Sequence, residues 1–562
     1  MNMKNKDITK IVVVTMVKNE SKIICRLLSS ILETFEKLSK NFCLTGISIL
    51  DTGSTDNTPI IAKNFLISKN IDFVIEIESF VDFGYSRSRS YEVAYNKFKT
   101  SCDYYMLLDG DMVLQCDLNY QYEKIDKDYY TFEQCAMRED QFSRNQARSI
   151  YTNNRLLSSK YRWICVCKTH EFWIPYYLKD NSISLKNLKC SCQYSSEEIF
   201  HKDLTKSLLK VFWIKDLEDG GSKSDKHERD IRLLDSELAL HYTHCPIYSR
   251  ALYYNARANA STQKLNTAVD LYKKRLNLPI EFHYGETYLS YIELGTCYKT
   301  EYEIARDAFV MINLMIDGGI STIHEFNDFN QKFLENNGKF IDNPNNKNDL
   351  LNNFICDKIL NNFSISRYKH VIRIINQPYF PKYYNKFLCG SDYLIDFKDC
   401  ISDYASELLF RAIKYYFYAS SISPNRNEHL FAVFDVLDNL AWETKIIDPD
   451  FSNQLYKFCI KIMDVAKNKK ENTEELFEEH DKYKESTILK KSYLCAINMK
   501  DKEISSQILN KMIKNNFNET DKFTEDNLVT YRLYYNNTFG NPNSNISSEN
   551  IIPYFPNFTE IF

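Results

Sequence analysis

The chain predicts two parts: an N-terminal α/β region on a mostly parallel, Rossmann-like sheet, followed by an all-α region. Three observations predict this. Over the first 120 residues, short β-branched runs alternate with segments of helical spacing. From about Trp213 the texture becomes helical. Finally, 13 glycines and 12 prolines among 562 residues fall far below the usual share of about 12%, so breakers are scarce and helices long.

The elements follow in order. Ile11–Met16 is a short β-branched run, the mark of a strand buried on both faces. Ser21–Lys37 places Ile24, Leu27, Leu28, Ile31 and Leu32 on one helical face. Gly46–Leu50 is a second strand, closed by the polar turn Asp51–Asp56. Pro59 opens a helix, where its missing N–H costs nothing. Phe73–Ile77, a helix over Ser88–Phe98 and the strand Tyr104–Leu108 complete the βα pattern. In such a sheet ligands gather at the carboxyl ends of the strands, where the clusters Asp51–Asp56 and Asp109–Asp111 fall. Further on, a helix is expected over Ser224–Leu238. Tyr254/Ala268 and Tyr291/Ala305 are two units offset by 37 residues, close to a tetratricopeptide helix–turn–helix period. A third unit starts near Glu407–Ala412, and its first helix ends at Pro424. Asn336–Asn353 reads as a loop, and Asn536–Phe562 as an irregular tail. The expected domains are 8–215, then repeats over 216–335, then a helical domain over 354–562.

Composition excludes several classes. Hydrophobic residues at 44% and charged residues at 26% are globular values. With 71 Lys and Arg against 75 Asp and Glu, there is no basic excess to grip a nucleic-acid backbone. No run approaches the ~18 apolar residues of a membrane span. Sixteen cysteines behind a polar N-terminus are expected as reduced thiols, in a soluble cytoplasmic protein. Cys165-x-Cys167 and Cys190-x-Cys192 do not have the usual structural zinc spacing.

Asp-x-Asp occurs three times, and only Asp109/Asp111 directly follows an apolar strand. There, two carboxylates one residue apart can meet a divalent cation and its diphosphate ligand. Oxygen ligands suit Mg²⁺ or Mn²⁺. The alternative for any such pair is a solvated acidic turn.

Thr15–Glu20, Asp51–Thr58 and Leu107–Asp111, in that order and spacing, resemble the nucleotide-sugar-binding half of a GT-A glycosyltransferase of family 2. Asp82–Arg89 stands where such enzymes carry an Asp-Phe-x-x-x-Arg-Asn segment. Here Ser90 replaces the asparagine, so the register rests on Arg87 or Arg89. Arg162–Trp173 and Asp219–Lys226 resemble the subgroup fused to tetratricopeptide-like helices. The resemblance covers about residues 8–310. Composition also resembles that of giant DNA virus proteins, which implies virion glycosylation as a setting.

The resemblance implies inverting, metal-dependent transfer of a hexose or N-acetylhexosamine from a nucleotide sugar, UDP-linked by family expectation, to a protein or glycan acceptor. Thr15, Glu20 and Asp51 would line the nucleotide pocket, with Asp51 otherwise an Asx-turn residue. Arg87 or Arg89 would face the base or diphosphate, and otherwise form surface ion pairs. Asp109 would lie near the ribose and metal, while Asp111 would bind the metal. Glu171, between Trp163 and Trp173, is the first choice of base, with aromatic walls to bind sugar faces and raise its pKa. The alternative for Glu171 is a paired structural carboxylate. His170 is a metal ligand, a second choice of base, or a structural residue. Lys223 and Lys226, after Gly220-Gly221 at a helix N-terminus, would close over the diphosphate or form part of a linker. The rivals are a non-catalytic repeat scaffold and a nucleotide-sugar hydrolase or nucleotidyltransferase.

Overall fold

The computed structural model describes residues 8–99, 101–120, 125–141, 143–176, 204–220, 226–240, 246–279, 283–335, 347–375, 393–423, 426–445, 448–468 and 485–515. Strand β1 (Thr9–Val17) is buried on both sides: Ile11 and Val13 point to one face of the sheet, Val12 and Val14 to the other. Helices α1 (Ile24–Lys37) and α2 (Thr58–Ser68) cover the first face, and α3 (Phe83–Phe98) covers the second through Tyr91, Ala94 and Phe98. With β2 (Phe42–Asp51), β3 (Phe73–Ile77) and β4 (Tyr104–Asp109), β1 forms a wholly parallel half-sheet in the order β3-β2-β1-β4. The expected strands and helices lie within these elements except where helix starts differ. Helix α3 begins five residues before Ser88, because Asp82 caps it by accepting a hydrogen bond from the Tyr85 amide at 2.7 Å.

The sheet continues as β7-β6-β10-β5, through β5 (Met112–Cys116), β6 (Tyr129–Ala136), β7 (Ser149–Ser158) and β10 (Lys206–Asp216). Here β7 runs antiparallel to both β4 and β6, and β10 antiparallel to β5. The eight-stranded sheet is thus mixed, parallel on the nucleotide-binding side by the expectation above and mainly antiparallel beyond it. A separate hairpin, β8 (Arg162–Val166) and β9 (Phe172–Tyr176), packs along α3. The N-terminal region has the curled sheet typical of the GT-A fold, and the rest of the described chain is helical.

After β10 come α4 (Lys226–Leu238), α5 (Pro246–Ser261), α6 (Leu265–Leu276), α7 (Tyr284–Asp317), α8 (Ile323–Glu335), α9 (Lys347–Asn362), α10 (Ile365–Ile375) and α11 (Leu394–Ile422). The pair α5–α6 is a helix–turn–helix, as the first repeat unit requires. The second unit is not: Tyr291 and Ala305 lie on one uninterrupted helix of 34 residues. Gly295, in the middle of this helix, is no break. A Cβ there would come within 2.6 Å of the Tyr416 ring, so the residue is small because α11 crosses closely. Helix α11 ends just before Pro424 as expected but begins at Leu394, well before the Glu407 start expected for the third unit, and α9 begins at Lys347, inside the segment read as a loop. Residues 536–562 and Cys190 and Cys192 lie outside the described residues.

The chain divides into two compact units, 1–423 with 473–479 and 424–472 with 480–562. In the second, α12 (Glu428–Thr444), α13 (Pro449–Asn468), α14 (Glu485–Asn498) and α15 (Lys502–Asn515) pack consecutively around Phe434, Tyr456, Met463 and Tyr493. Among the described residues no helix is long and apolar enough to cross a membrane.

Candidate active site

The turns after β1 and β2 are stitched to each other. Asn19, at φ 55°, donates its amide to Ser54 Oγ at 2.8 Å and accepts from the Thr55 amide at 2.7 Å. The Glu20 amide donates to Thr58 Oγ1 at 2.7 Å, and the Ser21 amide to Asp56 at 3.1 Å. Burial works against ionised Asp56, but hydrogen bonds from Thr58 and Ser21 hold it down to about 2. Asp51 Oδ1 accepts from the amides of Gly53 and Ser54 at 3.0 and 2.7 Å, the Asx turn foreseen as its alternative role. Gly53 sits at φ 92°, which explains a glycine there. Asp51 Oδ2 and Thr15 Oγ1 are buried with no protein partner among the described residues.

The acidic turn follows β4. Asp109 pairs beside Met16 of β1, and both its oxygens are engaged. Oδ1 accepts from Arg87 Nη1 at 2.6 Å, Oδ2 from Arg155 Nη1 at 3.2 Å. Burial opposes this charge, but the two guanidiniums outweigh it and hold the carboxyl well below the usual range. Arg87 also donates through Nε to Glu171, 84 positions along the chain. Arg89 faces elsewhere, since two residues on a helix differ by about 200°. It is held by Glu76, Glu78 and Glu92 at 3.0, 2.9 and 2.5 Å. The geometry therefore brings Arg87, and not Arg89, to the acidic turn.

Asp111 meets Glu20 from the other side. A Cβ on Gly220 would stand 3.0 Å from Asp111 Oδ2 and 3.2 Å from Glu20 Oε1, so both carboxylates flank the loop after β10. That loop is pinned to α1 by Asp219, which takes both terminal nitrogens of Arg26 at 2.7 Å. Lys223 lies outside the described residues, and Lys226 opens α4 as an exposed residue.

Glu171 reaches Arg87 because the hairpin lies against α3. Ser88 Oγ donates to the Cys165 carbonyl at 3.1 Å and accepts from its amide at 2.9 Å. A Cβ on Gly84 would lie 2.3 Å from the Cys167 carbonyl oxygen, so the close approach needs glycine. Trp163 and Trp173, expected as walls beside Glu171, pack chiefly into the core. Trp163 is core, donating Nε1 to the Ser158 carbonyl at 2.8 Å, and Trp173 packs on Tyr91 with ring centres 5.9 Å apart. His170 stacks on Tyr254 at 3.9 Å, with Nε2 3.9 Å from Asp230, while Arg250 donates to its carbonyl at 3.0 Å. Burial and then the cation Arg250 push the imidazole down to about 3, so it is neutral. A cavity of about 300 Å³ beside the hairpin, lined by Trp163, Phe172, Trp173, Arg250 and Glu286, contains none of the acidic-turn residues.

Residues 12–195 match the family model of Glycosyl transferase family 2. This segment is a glycosyl transferase family 2 domain. No curated protein matches the chain. Among solved structures, it is similar to a crystal structure of S. aureus TarS, residues 1–349, at 12% identity with a TM-score of 0.22, covering 48% of this chain and 80% of that one.

Within the family 2 domain, sequence reading missed Arg155, whose guanidinium grips Asp109. A signal was present: an arginine beside Leu156-Leu157 is a charge entering an apolar strand, and a buried charge demands a partner. Asp230 and Arg250, around His170, left no comparable mark.

Proposed function

We propose that the protein is an inverting glycosyltransferase that moves a hexose or N-acetylhexosamine from a UDP-linked donor to a protein or glycan acceptor. The observation that carries this is Arg87, one guanidinium joined to both Asp109 and Glu171 at the carboxyl end of β4. Asp51 and Thr15 take the nucleoside, since their buried polar atoms without protein partners are sites a ligand can satisfy. Glu171 accepts the proton of the acceptor hydroxyl as that oxygen attacks the anomeric carbon. The bond to the diphosphate breaks on the opposite face, and Arg87 compensates the charge left on the departing nucleotide.

A divalent cation, Mn²⁺ or Mg²⁺, would add Lewis-acid stabilisation of the diphosphate. The residues fit it at Asp111 and Glu20, two carboxylates flanking one loop, with phosphate oxygens to complete the shell. Asp109 is committed to two guanidiniums, and His170 stands with Tyr254 and Asp230, so neither takes this role.

Thermal shift with UDP, GDP, CMP and their sugars, each with Mn²⁺ and with EDTA, tests the reading. A nucleotide at 100 times its dissociation constant should add about 2.7 kcal/mol with Mn²⁺. Equal stabilisation in EDTA removes the metal; no stabilisation by any nucleotide returns the repeat scaffold.

A further inference from the structure

Arg87 serves two carboxylates, and Asp109 is served by two guanidiniums. If Arg87 turns to an incoming diphosphate, Glu171 is released from its ion pair while Asp109 still holds one guanidinium. That second guanidinium is braced from behind. Arg155, on β7 and nearly fully buried, donates through Nη2 to Gln134 Oε1 at 2.7 Å. Gln134 Nε2 donates to Asp216 Oδ2 at 2.8 Å, and Tyr151 donates its hydroxyl to the same oxygen at 3.1 Å. With its carbonyl on a donor-only guanidinium and its amide on a carboxylate, Gln134 has one orientation. Asp216 Oδ1 accepts from the Glu218 amide at 3.0 Å, fixing the start of the loop that carries Asp219 and Gly220 to Arg26, Glu20 and Asp111.

We propose that Arg155, braced by Gln134 and Asp216, is a positioning residue that holds Asp109 in place while Arg87 exchanges its carboxylate partners for the donor diphosphate. This rests on the nucleotide-sugar reading above. The relay runs through β7, β6 and β10, so it sets the acidic turn from the mixed half of the sheet. At its far end it also sets the loop against Asp111.

The test is a double-mutant cycle read by calorimetric binding of UDP with Mn²⁺. Arg155→Met should weaken UDP about ten- to hundredfold, the range for hydrogen bonds to charged groups. Arg155→Lys should recover part of the loss. In an Asp109→Asn background the same Arg155→Met change should cost nothing further, because there is no carboxylate charge left to hold. Should Arg155→Met fail to fold, Gln134→Met carries the cycle, with a loss of a few-fold that likewise vanishes beside Asp109→Asn. Losses that add across the cycle, or unchanged UDP binding in folded variants, overturn the relay and leave the donor reading standing. A wild-type protein that binds no UDP with Mn²⁺ overturns both.

Discussion

The two halves of the sheet differ in what holds them and in what they give to the site. The parallel half, β3-β2-β1-β4, is made of consecutive βα units, and its site residues sit in turns tied by backbone and short polar side chains. The mixed half beyond β4, with the hairpin on α3, contributes long side chains that reach back: Arg155 to Asp109 and Glu171 to Arg87. One half builds its part of the candidate site by local geometry. The other places charge into it over long sequence distances, so its contributions depend on packing and are the easier to disturb.

The largest expected effect lies in the part supplied by the hairpin. Glu171→Gln keeps shape and hydrogen bonding but cannot take a proton, so sugar transfer should fall by about 10²–10⁴. The dissociation constant of the donor should stay within a few-fold, because the parallel half still binds it. Near-normal transfer would remove Glu171 from the chemistry.

A second substitution probes how the hairpin is held. Gly84→Ala puts a methyl 2.3 Å from the Cys167 carbonyl oxygen, which only a shift of the hairpin can relieve. Destabilisation of about 1–3 kcal/mol is expected, the cost of overpacking. Transfer should drop more than nucleotide binding does, since Glu171 moves and Asp51 does not. Denaturant unfolding beside UDP binding checks both; an equal loss of binding would show the two halves to be one unit.

The smallest effect is one of pH. His170 is pushed from 6.5 to about 3, so the unfolded chain protonates first as the medium acidifies. Its contribution to stability is present in full above about pH 6.5 and is lost progressively as pH falls toward 3. His170→Asn, which tolerates the φ of 52° found there, should flatten the decline between pH 7 and pH 5 relative to wild type. Parallel stability curves for the two proteins would refute that assignment of the imidazole.

The same division decides how much was legible in the sequence. In the parallel half, β-branched runs and helical spacing are local, so β1 to β4 and the positions of Asp51 and Asp109 at strand ends could be read directly. The choice between Arg87 and Arg89 could not, since it depends on which face of α3 meets β4 and on three glutamates that capture Arg89. Trp163 and Trp173 misled because nearness in sequence does not decide which neighbour a ring packs on: Glu171 precedes β9, and the two rings pack on Tyr129 and Tyr91 of the core. Arg155 carried a sign of needing a partner but not of which one: Asp109 and Gln134 are 46 and 21 positions away, joined by strand pairing that no periodicity records. In the helical region, spacing at Tyr291 and Ala305 read as a turn-separated pair what is one uninterrupted helix, crossed closely by α11 at Gly295.

Binding of UDP in Mn²⁺ to Arg87→Met and Arg89→Met, side by side with wild type, tests the account most directly. These arginines are two residues apart on one helix, so general effects of charge and helix propensity are matched. The account predicts a loss of tenfold or more, at least about 1.4 kcal/mol, for Arg87→Met. Arg89→Met should bind within about twofold of wild type, its three glutamates lying away from the acidic turn. Equal losses, or an Arg87→Met protein that binds UDP as wild type does, would contradict it.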